Sequence, residues 1–152
     1  SRRRRQSKML LLVVALLSIF AVSCVGNSYV DMRPVSPYSW SEPVSILYQN
    51  SDTTALRDIA VAVRYNKNFD ADTLSVVVQT SLPDAHQFSE QVILQFKQDY
   101  TAAAVTASEA VLYRSGCQLG QSGYYIFTIT PTRAVEGVEA VGIAFTNLED
   151  RP

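Results

Sequence analysis

The sequence predicts an all-β fold: an antiparallel β-sandwich of the jelly-roll or immunoglobulin-like kind, with about seven short strands, behind an N-terminal signal segment. Three observations support this prediction. Apolar residues recur with a period of two along several short segments, turn-forming residues separate these segments, and a basic stretch followed by an apolar run opens the chain. Many short strands at regular spacing are typical of a sandwich or a barrel.

The N-terminal segment combines a cationic start with a short apolar run. Residues 1–8 (SRRRRQSK) carry five basic residues and no acidic one, and residues 9–22 (MLLLVVALLSIFAV) are apolar apart from one serine. A run of 14 residues is too short for a permanent membrane-spanning helix, which needs about 20. The pattern is therefore typical of a secretory signal.

Cys24 follows this run directly. The sequence Ala21-Val22-Ser23-Cys24 resembles a bacterial lipobox, with alanine where the pattern prefers leucine three residues before the cysteine. The resemblance implies that residues 1–23 are a lipoprotein signal peptide and that Cys24 receives a diacylglyceryl group and acyl chains such as palmitate. The alternative is a signal peptide cut near Ala21 or Ser23 that leaves Cys24 unmodified.

Residues 24–37 are predicted to form a flexible tether, because Pro34 and Pro37 favour extended backbone over helix. The remaining residues, 38–152, are assigned to the sandwich domain. Beyond residue 23 the chain carries 14 acidic residues against eight basic ones. This acidity argues against nucleic acid as a partner, because phosphate binding needs a basic face.

Seven segments of alternating hydrophobicity are predicted as strands, at residues 40–48, 58–65, 73–80, 91–97, 110–114, 124–130 and 138–145. Residues 100–109 (YTAAAVTASE) are predicted to be a loop with at most one helical turn, because ten residues cannot hold an isolated helix. Gly142 interrupts the last strand, which predicts a bulge or a close approach by another chain segment. The alternation predicts a buried core that includes Val61, Val63, Val76, Val78, Leu94, Ile126 and Ile143.

Several sequence segments resemble a known family. They are 56–66 (LRDIAVAVRYN), 122–129 (SGYYIFTI), 131–133 (PTR) and 135–143 (VEGVEAVGI), together with a tryptophan, Trp40, near the start of the domain. In this order, behind a lipobox, they resemble the gliding-motility-associated lipoprotein family known as GldH, over most of residues 38–148. The resemblance implies a non-enzymatic envelope lipoprotein that acts as an accessory component of the gliding motility and protein secretion machinery.

Partners and location follow from the same resemblance. The chain would contact the membrane through the acyl chains on Cys24 and would bind other envelope proteins. In the bacteria where the family occurs, surface-exposed lipoproteins commonly carry acidic residues just behind the lipidated cysteine, whereas here the first acid is Asp31. The expected location is therefore the outer membrane, with the domain facing the periplasm.

Candidate catalytic and metal-binding groups form no recognisable motif. His86 lies in a polar loop beside Asp84, without a serine in a nucleophile-elbow pattern, and is interpreted as an exposed loop residue. Asp70 and Asp72 are interpreted as a solvated turn, and Cys117 as a buried or half-buried structural thiol. We therefore predict no enzymatic activity, no metal and no cofactor.

Aromatic residues near predicted strand ends are the remaining candidates for a binding surface. Trp40, Tyr48 and Tyr65 are predicted to form a ligand or partner surface, because exposed rings stack on sugars or on partner proteins. They support an alternative hypothesis, a lipid-anchored carbohydrate-binding β-sandwich. The competing interpretation is that these rings complete the rims of the sandwich core.

Overall fold

The computed structural model describes residues 28–98 and 105–150. The predicted signal peptide and Cys24 lie outside these residues, as does half of the predicted loop at 100–109. The described part contains no helix long and apolar enough to cross a membrane. Its elements are β1 Ser28–Pro34, β2 Val44–Asn50, β3 Leu56–Asn66, β4 Thr73–Ser81, β5 Gln87–Gln95, β6 Thr106–Gln118, β7 Gly123–Pro131, β8 Val138–Asn147 and a 3-10 helix at Leu148–Asp150.

The strands form two antiparallel four-stranded sheets packed as a sandwich, which confirms the predicted fold class. One sheet has the strand order β1-β8-β3-β6 and the other the order β2-β7-β4-β5. Consecutive strands β1 and β2 lie in different sheets, as do β2 and β3. These two strand orders are those of a jelly roll. The fold is therefore the jelly-roll kind of sandwich and not the immunoglobulin-like kind.

The core lies between the sheets and takes alternate residues from each strand. Six of the residues predicted to be buried are at most 1% exposed, namely Val61, Val63, Val76, Val78, Leu94 and Ile143. The prediction for Ile126 is wrong: it is 39% exposed, and its neighbours Tyr125 and Phe127 face the core instead. In YYIFTIT every side chain is aromatic or β-branched, so hydrophobic alternation does not show which face is buried.

Part of the predicted tether is a strand. Residues 28–34 form β1, which pairs with β8 along its whole length, from Ser28 opposite Thr146 to Pro34 opposite Ala140. Gly142 makes this pairing possible, because a Cβ at that position would lie 1.8 Å from the carbonyl oxygen of Asp31. The close approach predicted from a glycine within a strand is therefore confirmed, and the flexible-tether prediction is wrong over residues 28–34.

The predicted loop at residues 100–109 is also shorter than expected. β6 begins at Thr106 and runs to Gln118, so residues 106–109 are a strand paired with the end of β3. Alternate side chains from Ala107 to Val111 face the core in half-buried positions. The loop prediction is therefore wrong over residues 106–109, because pairing with β3 makes them part of a strand.

The register of the strands defines two ends of the sandwich. At the Ser28 end, Ser28 lies opposite Thr146, Leu56 opposite Gln118, and Asn50 opposite Gly123. At the Trp40 end, Trp40 forms an isolated bridge with Val135 in the loop between β7 and β8. The chain therefore comes from Cys24 into the domain at the Ser28 end.

Candidate functional site: an apolar cleft between the sheets

The three aromatic residues predicted to form a binding surface do not form one. Trp40 is 2% exposed and Tyr65 is fully buried, so neither ring can stack on a ligand without local unfolding. Tyr48 is half-buried, with its ring centroid 4.9 Å from that of Tyr29 and 4.5 Å from that of Phe145. The prediction of an exposed aromatic surface is wrong for these residues, and their rings complete the core.

The burial of Trp40 has a specific cause. Its indole Nε1 donates a hydrogen bond to the carbonyl oxygen of Glu42 at 2.7 Å, and its backbone pairs with Val135 in both directions. The buried indole N–H is thereby satisfied. Trp40 closes one end of the sandwich, a structural role that sequence position alone could not separate from a binding role.

The described residues form an apolar cleft between the two sheets. It lies at the Ser28 end, along the edge formed by β5 of one sheet and β6 of the other, and has a volume of about 610 Å³. This volume is within the range of about 300–1,000 Å³ typical of small-molecule sites. The residues that line the inner wall are Ile59, Leu82, Phe88, Leu119, Tyr125 and Phe127.

The cleft exists because β5 is progressively uncovered towards the Ser28 end. Leu94, Val92, Glu90 and Phe88 alternate along the inner face of β5, opposite inward-facing residues of β4. Leu94 is fully buried, Val92 and Glu90 are half-buried, and Phe88 is 61% exposed. A large apolar side chain that faces inward yet remains exposed shows that the two sheets do not meet over it.

Charged groups bridge the two sheets at the rim of the cleft. Arg114 on β6 donates a hydrogen bond from Nη2 to the Glu90 carboxylate on β5 at 2.7 Å, and its guanidinium lies 5.4 Å from the Tyr113 ring centroid. Burial and a hydrogen bond to Glu90 raise the pKa of Tyr113 above its ordinary value. The phenol is therefore a neutral hydrogen-bonding group at physiological pH, and the rim carries one charge of each sign.

A buried polar network supports the end of the cleft. Arg57, only 6% exposed, donates to Oδ1 of Asn50 at 2.9 Å, and its guanidinium lies 5.8 Å from the Tyr48 ring centroid. The Asn50 side-chain amide in turn donates to the carbonyl oxygens of Leu119 and Gln121, each at 2.9 Å. These bonds fix the β6–β7 loop that lines the cleft.

This network was not predicted from the sequence, although one signal for it was present. Arg57 stands two residues before Ile59, on the face that continues through Val61 and Val63 to Tyr65. A charged residue in phase with a buried series indicates either a strand end or a buried polar group with dedicated partners. The partner Asn50 lies on another strand, and its identity required the structure.

The other candidate groups are placed as follows. Nδ1 of His86 lies 2.9 Å from the Asp84 carboxylate, and both side chains are exposed. The backbone N–H of His86 is the main cause of the lowered pKa of Asp84. Asp70 and Asp72 are exposed. Cys117 is a half-buried free thiol on the cleft wall. No group of three metal-ligating residues occurs in the ranges 28–98 and 105–150.

Comparisons with known proteins do not identify a family for this chain. No protein-family model matches the chain, and no curated protein matches it. Among solved structures, the crystal structure of the Yersinia pseudotuberculosis-derived mitogen is similar at 12% sequence identity and a TM-score of 0.35, over 84% of this chain and 92% of that chain. At this level of similarity the match carries no inference about function.

Proposed function

We propose that this chain is a non-enzymatic lipoprotein of the bacterial cell envelope, held at a membrane through acyl chains on Cys24. Its jelly-roll domain would bind other envelope components, as an accessory part of a gliding motility and protein secretion apparatus. The observation that carries the proposal is Cys24 itself, which directly follows a short apolar run and small residues. A thiol is required at that position for lipid attachment, and other signal peptides have no need of one.

The start of β1 limits the distance between the folded domain and the proposed lipid site at Cys24. β1 begins at Ser28, so only residues 25–27 separate the proposed lipid site from the first strand. Four Cα–Cα steps of at most about 3.6 Å limit the distance from Cys24 to Ser28 to about 14 Å. The domain would therefore lie close to the bilayer, with its Ser28 end nearest the lipid.

The anchorage is tested by metabolic labelling with a radioactive fatty acid. Cys24→Ser is expected to abolish incorporation of label and to block cleavage by the lipoprotein route, because the acceptor thiol is gone. Cys117→Ser is the matched control, since it removes the other cysteine of the chain and leaves Cys24 in place. Unchanged labelling of the Cys24→Ser protein would overturn the lipoprotein assignment.

The role in motility and secretion is tested by gene deletion and complementation. Loss of the protein is expected to impair surface spreading or secretion, and complementation is expected with the natural chain and with Cys117→Ser but not with Cys24→Ser. A deletion strain that spreads and secretes normally would contradict this role. A glycan array probed with the purified protein separates the carbohydrate-binding alternative, for which saturable binding is the expected result.

The proposed location is the outer membrane, with the domain in the periplasm. Residues 25–30 carry no acidic side chain that a sorting receptor could read as a surface signal. Proteinase K added to intact cells should leave the protein uncut, as it leaves a periplasmic control protein. Rapid digestion while the control is spared would place the domain on the cell surface instead.

A further inference from the structure

We infer that the cleft between β5 and β6 binds one acyl chain of a membrane phospholipid. This inference rests on the proposed anchorage at Cys24 and goes beyond it by assigning a ligand class to a defined site. Three features of the molecule support it: the chemistry of the cleft wall, the neutral polar rim and the position of the cleft relative to the anchor.

The wall of the cleft suits an apolar chain. Ile59 and Phe127 form its base at 2% and 1% exposure, and Phe88 stands uncovered at its mouth at 61% exposure. Leaving inward-facing apolar surface in contact with water is unfavourable in proportion to its area. An acyl chain that covers Phe88 and Leu82 would remove this surface from water.

The rim suits a zwitterionic headgroup better than a free anion. Arg114 and Glu90 already neutralise each other at 2.7 Å, and Gln118 and Gln121 add uncharged amides. A free fatty acid would bring an unpaired carboxylate next to Glu90. A phospholipid such as phosphatidylcholine brings one charge of each sign, which matches the one acid and one base at the rim.

The position of the cleft relative to the anchor supports a lipid source. The cleft lies at the Ser28 end of the sandwich, where the chain arrives from Cys24 within about 14 Å. From β1 to β6 there are three inter-strand spacings of about 4.8 Å each, or about 14 Å across the sheet. A protein anchored at Cys24 would therefore hold the cleft within reach of the bilayer surface.

The test uses the full-length lipidated protein in phosphatidylcholine vesicles, a fraction of whose lipid carries a photoactivatable diazirine midway along one acyl chain. After illumination, peptide mass spectrometry locates the lipid adducts. We expect adducts on Phe88, Tyr113 and Leu119 on the cleft wall. Adducts confined to outer-face residues such as Leu47 and Ile126 would overturn the inference, because they would place the lipid on the surface of the sheet.

Filling the cleft gives a matched pair of variants. Thr80→Trp places an indole in the cleft, and Ser39→Trp places the same ring at the smaller hollow of 240 Å³ beside Trp40. We expect Thr80→Trp to reduce the cleft adducts by about tenfold and Ser39→Trp to leave them unchanged. Thr80→Leu fills less space and should give an intermediate reduction, which keeps the test valid if the larger variant does not fold. Equal labelling in Thr80→Leu and Ser39→Trp would contradict the inference.

The mass of the N-terminal peptide separates failure of the inference from failure of the proposed function. An acylated Cys24 with an unlabelled cleft overturns lipid binding and leaves the anchor intact. An unmodified Cys24 overturns the anchor, and monomeric lysophosphatidylcholine with the same diazirine is then supplied from solution. Labelling of Phe88 and Tyr113 by that probe supports the cleft as an acyl-chain site, and absence of labelling overturns it.

Discussion

The two side edges of the sandwich are closed to different extents at the Ser28 end. On the β1–β2 edge, the rings of Tyr29, Tyr48 and Phe145 fill the gap between the sheets, with centroids 4.5–5.7 Å apart. On the β5–β6 edge, Phe88 contacts no other aromatic ring of residues 28–98 and 105–150, and it remains 61% exposed. The same fold therefore seals one edge with aromatic rings and leaves an apolar cleft along the other.

The difference follows from side-chain size at equivalent positions. At the closed edge, aromatic side chains project inward from β1, β2 and β8. At the open edge, the inward-facing partners of Phe88 and Val78 are Thr80 and Glu90, of which one is small and the other charged. The carboxylate of Glu90 bonds Arg114 at the rim instead of filling the interior. The cleft is therefore encoded in a few residues, and exchanging those residues should change it without changing the fold.

The largest expected effect comes from Gly142→Ala, which should disrupt the packing of β1 against β8 at the closed edge. Alanine at this position would place its Cβ against backbone atoms of Asp31 and Met32, which cannot rotate away. We expect a loss of about 5 kcal/mol or more in unfolding free energy, above the usual range of about 1–3 kcal/mol for overpacked sites, because the obstructing atoms belong to the backbone. Chemical denaturation measures the loss, and faster hydrogen exchange in β1 than in β7 should locate it.

Gly120→Ala is the control, because its added Cβ would meet no atom within 4 Å. A change of about 0.5 kcal/mol or less is expected there, as for other unconstrained surface sites. If the two alanine variants were equally stable, β1 would not be packed against β8 in solution as it is in this structure.

A smaller effect compares one phenylalanine from each edge. Phe145→Ala removes a ring that is 2% exposed and should cost about 3–5 kcal/mol. Phe88→Ala removes a ring that is 61% exposed and should cost about 0.5 kcal/mol or less. Thermal or urea unfolding of both variants tests the contrast. A large loss from Phe88→Ala would show that the β5–β6 edge is closed in solution.

The sequence predicted the fold where one face of a strand was clearly more apolar than the other. In β3 and β4 the alternation identified Val61, Val63, Val76 and Val78 as core residues, and all four are buried. It failed in β7, where both faces are aromatic or β-branched. It also failed in β1, whose half-polar segment becomes a strand through pairing with β8, a long-range contact that has no local signature.

The candidate site was much less predictable than the fold. Its wall combines residues from five strands and from the β4–β5 and β6–β7 connections. The cleft exists because β5 and β6 do not meet over Phe88. Periodicity placed Leu94 on the buried face of the predicted strand at 91–97 but gave no measure of how well that face is covered. Trp40 and Tyr65, which were predicted to belong to a binding surface, are instead buried in the core.

The ion pairs of the two edges allow a finer comparison. Glu90–Arg114 bridges two sheets at 2.7 Å, whereas Asp31–Arg33 lies within β1 at 2.6 Å. The arginine side chain is about half exposed in each pair, so double-mutant cycles should give an interaction energy of about 0.2–1 kcal/mol for either pair, decreasing with salt.

The same ion pairs allow a test of access to the cleft. Glu90→Gln should speed alkylation of Cys117 on the cleft wall, and Asp31→Asn should not. Equal alkylation rates in the two variants would mean that the rim pair does not restrict access to the cleft.

The smallest expected effect concerns two turn carboxylates at the Ser28 end. Asp52, in the β2–β3 connection, accepts hydrogen bonds from the backbone N–H groups of Thr54 and Ala55, and these bonds lower its pKa below the ordinary 3.8. Asp84, between β4 and β5 at the open edge, has its pKa lowered by the backbone N–H of His86 and by Gln121. Because the folded pKa lies below the unfolded value, each carboxylate stabilises the fold above pH 3.8, and this contribution is lost as the pH falls through the folded pKa.

Asp52→Asn and Asp84→Asn should therefore lower the melting temperature slightly at neutral pH and become equal to the natural chain in strongly acidic solution. Both side chains are solvent-exposed, which keeps each effect small. Asp84 also accepts a hydrogen bond from the Gln121 side chain on the cleft loop at 2.9 Å, so Asp84→Asn alone should speed alkylation of Cys117. A melting-temperature difference that persists unchanged at low pH would show that the asparagine acts through something other than charge. Equal Cys117 reactivity in the two variants would show that Asp84 does not help to hold the cleft loop.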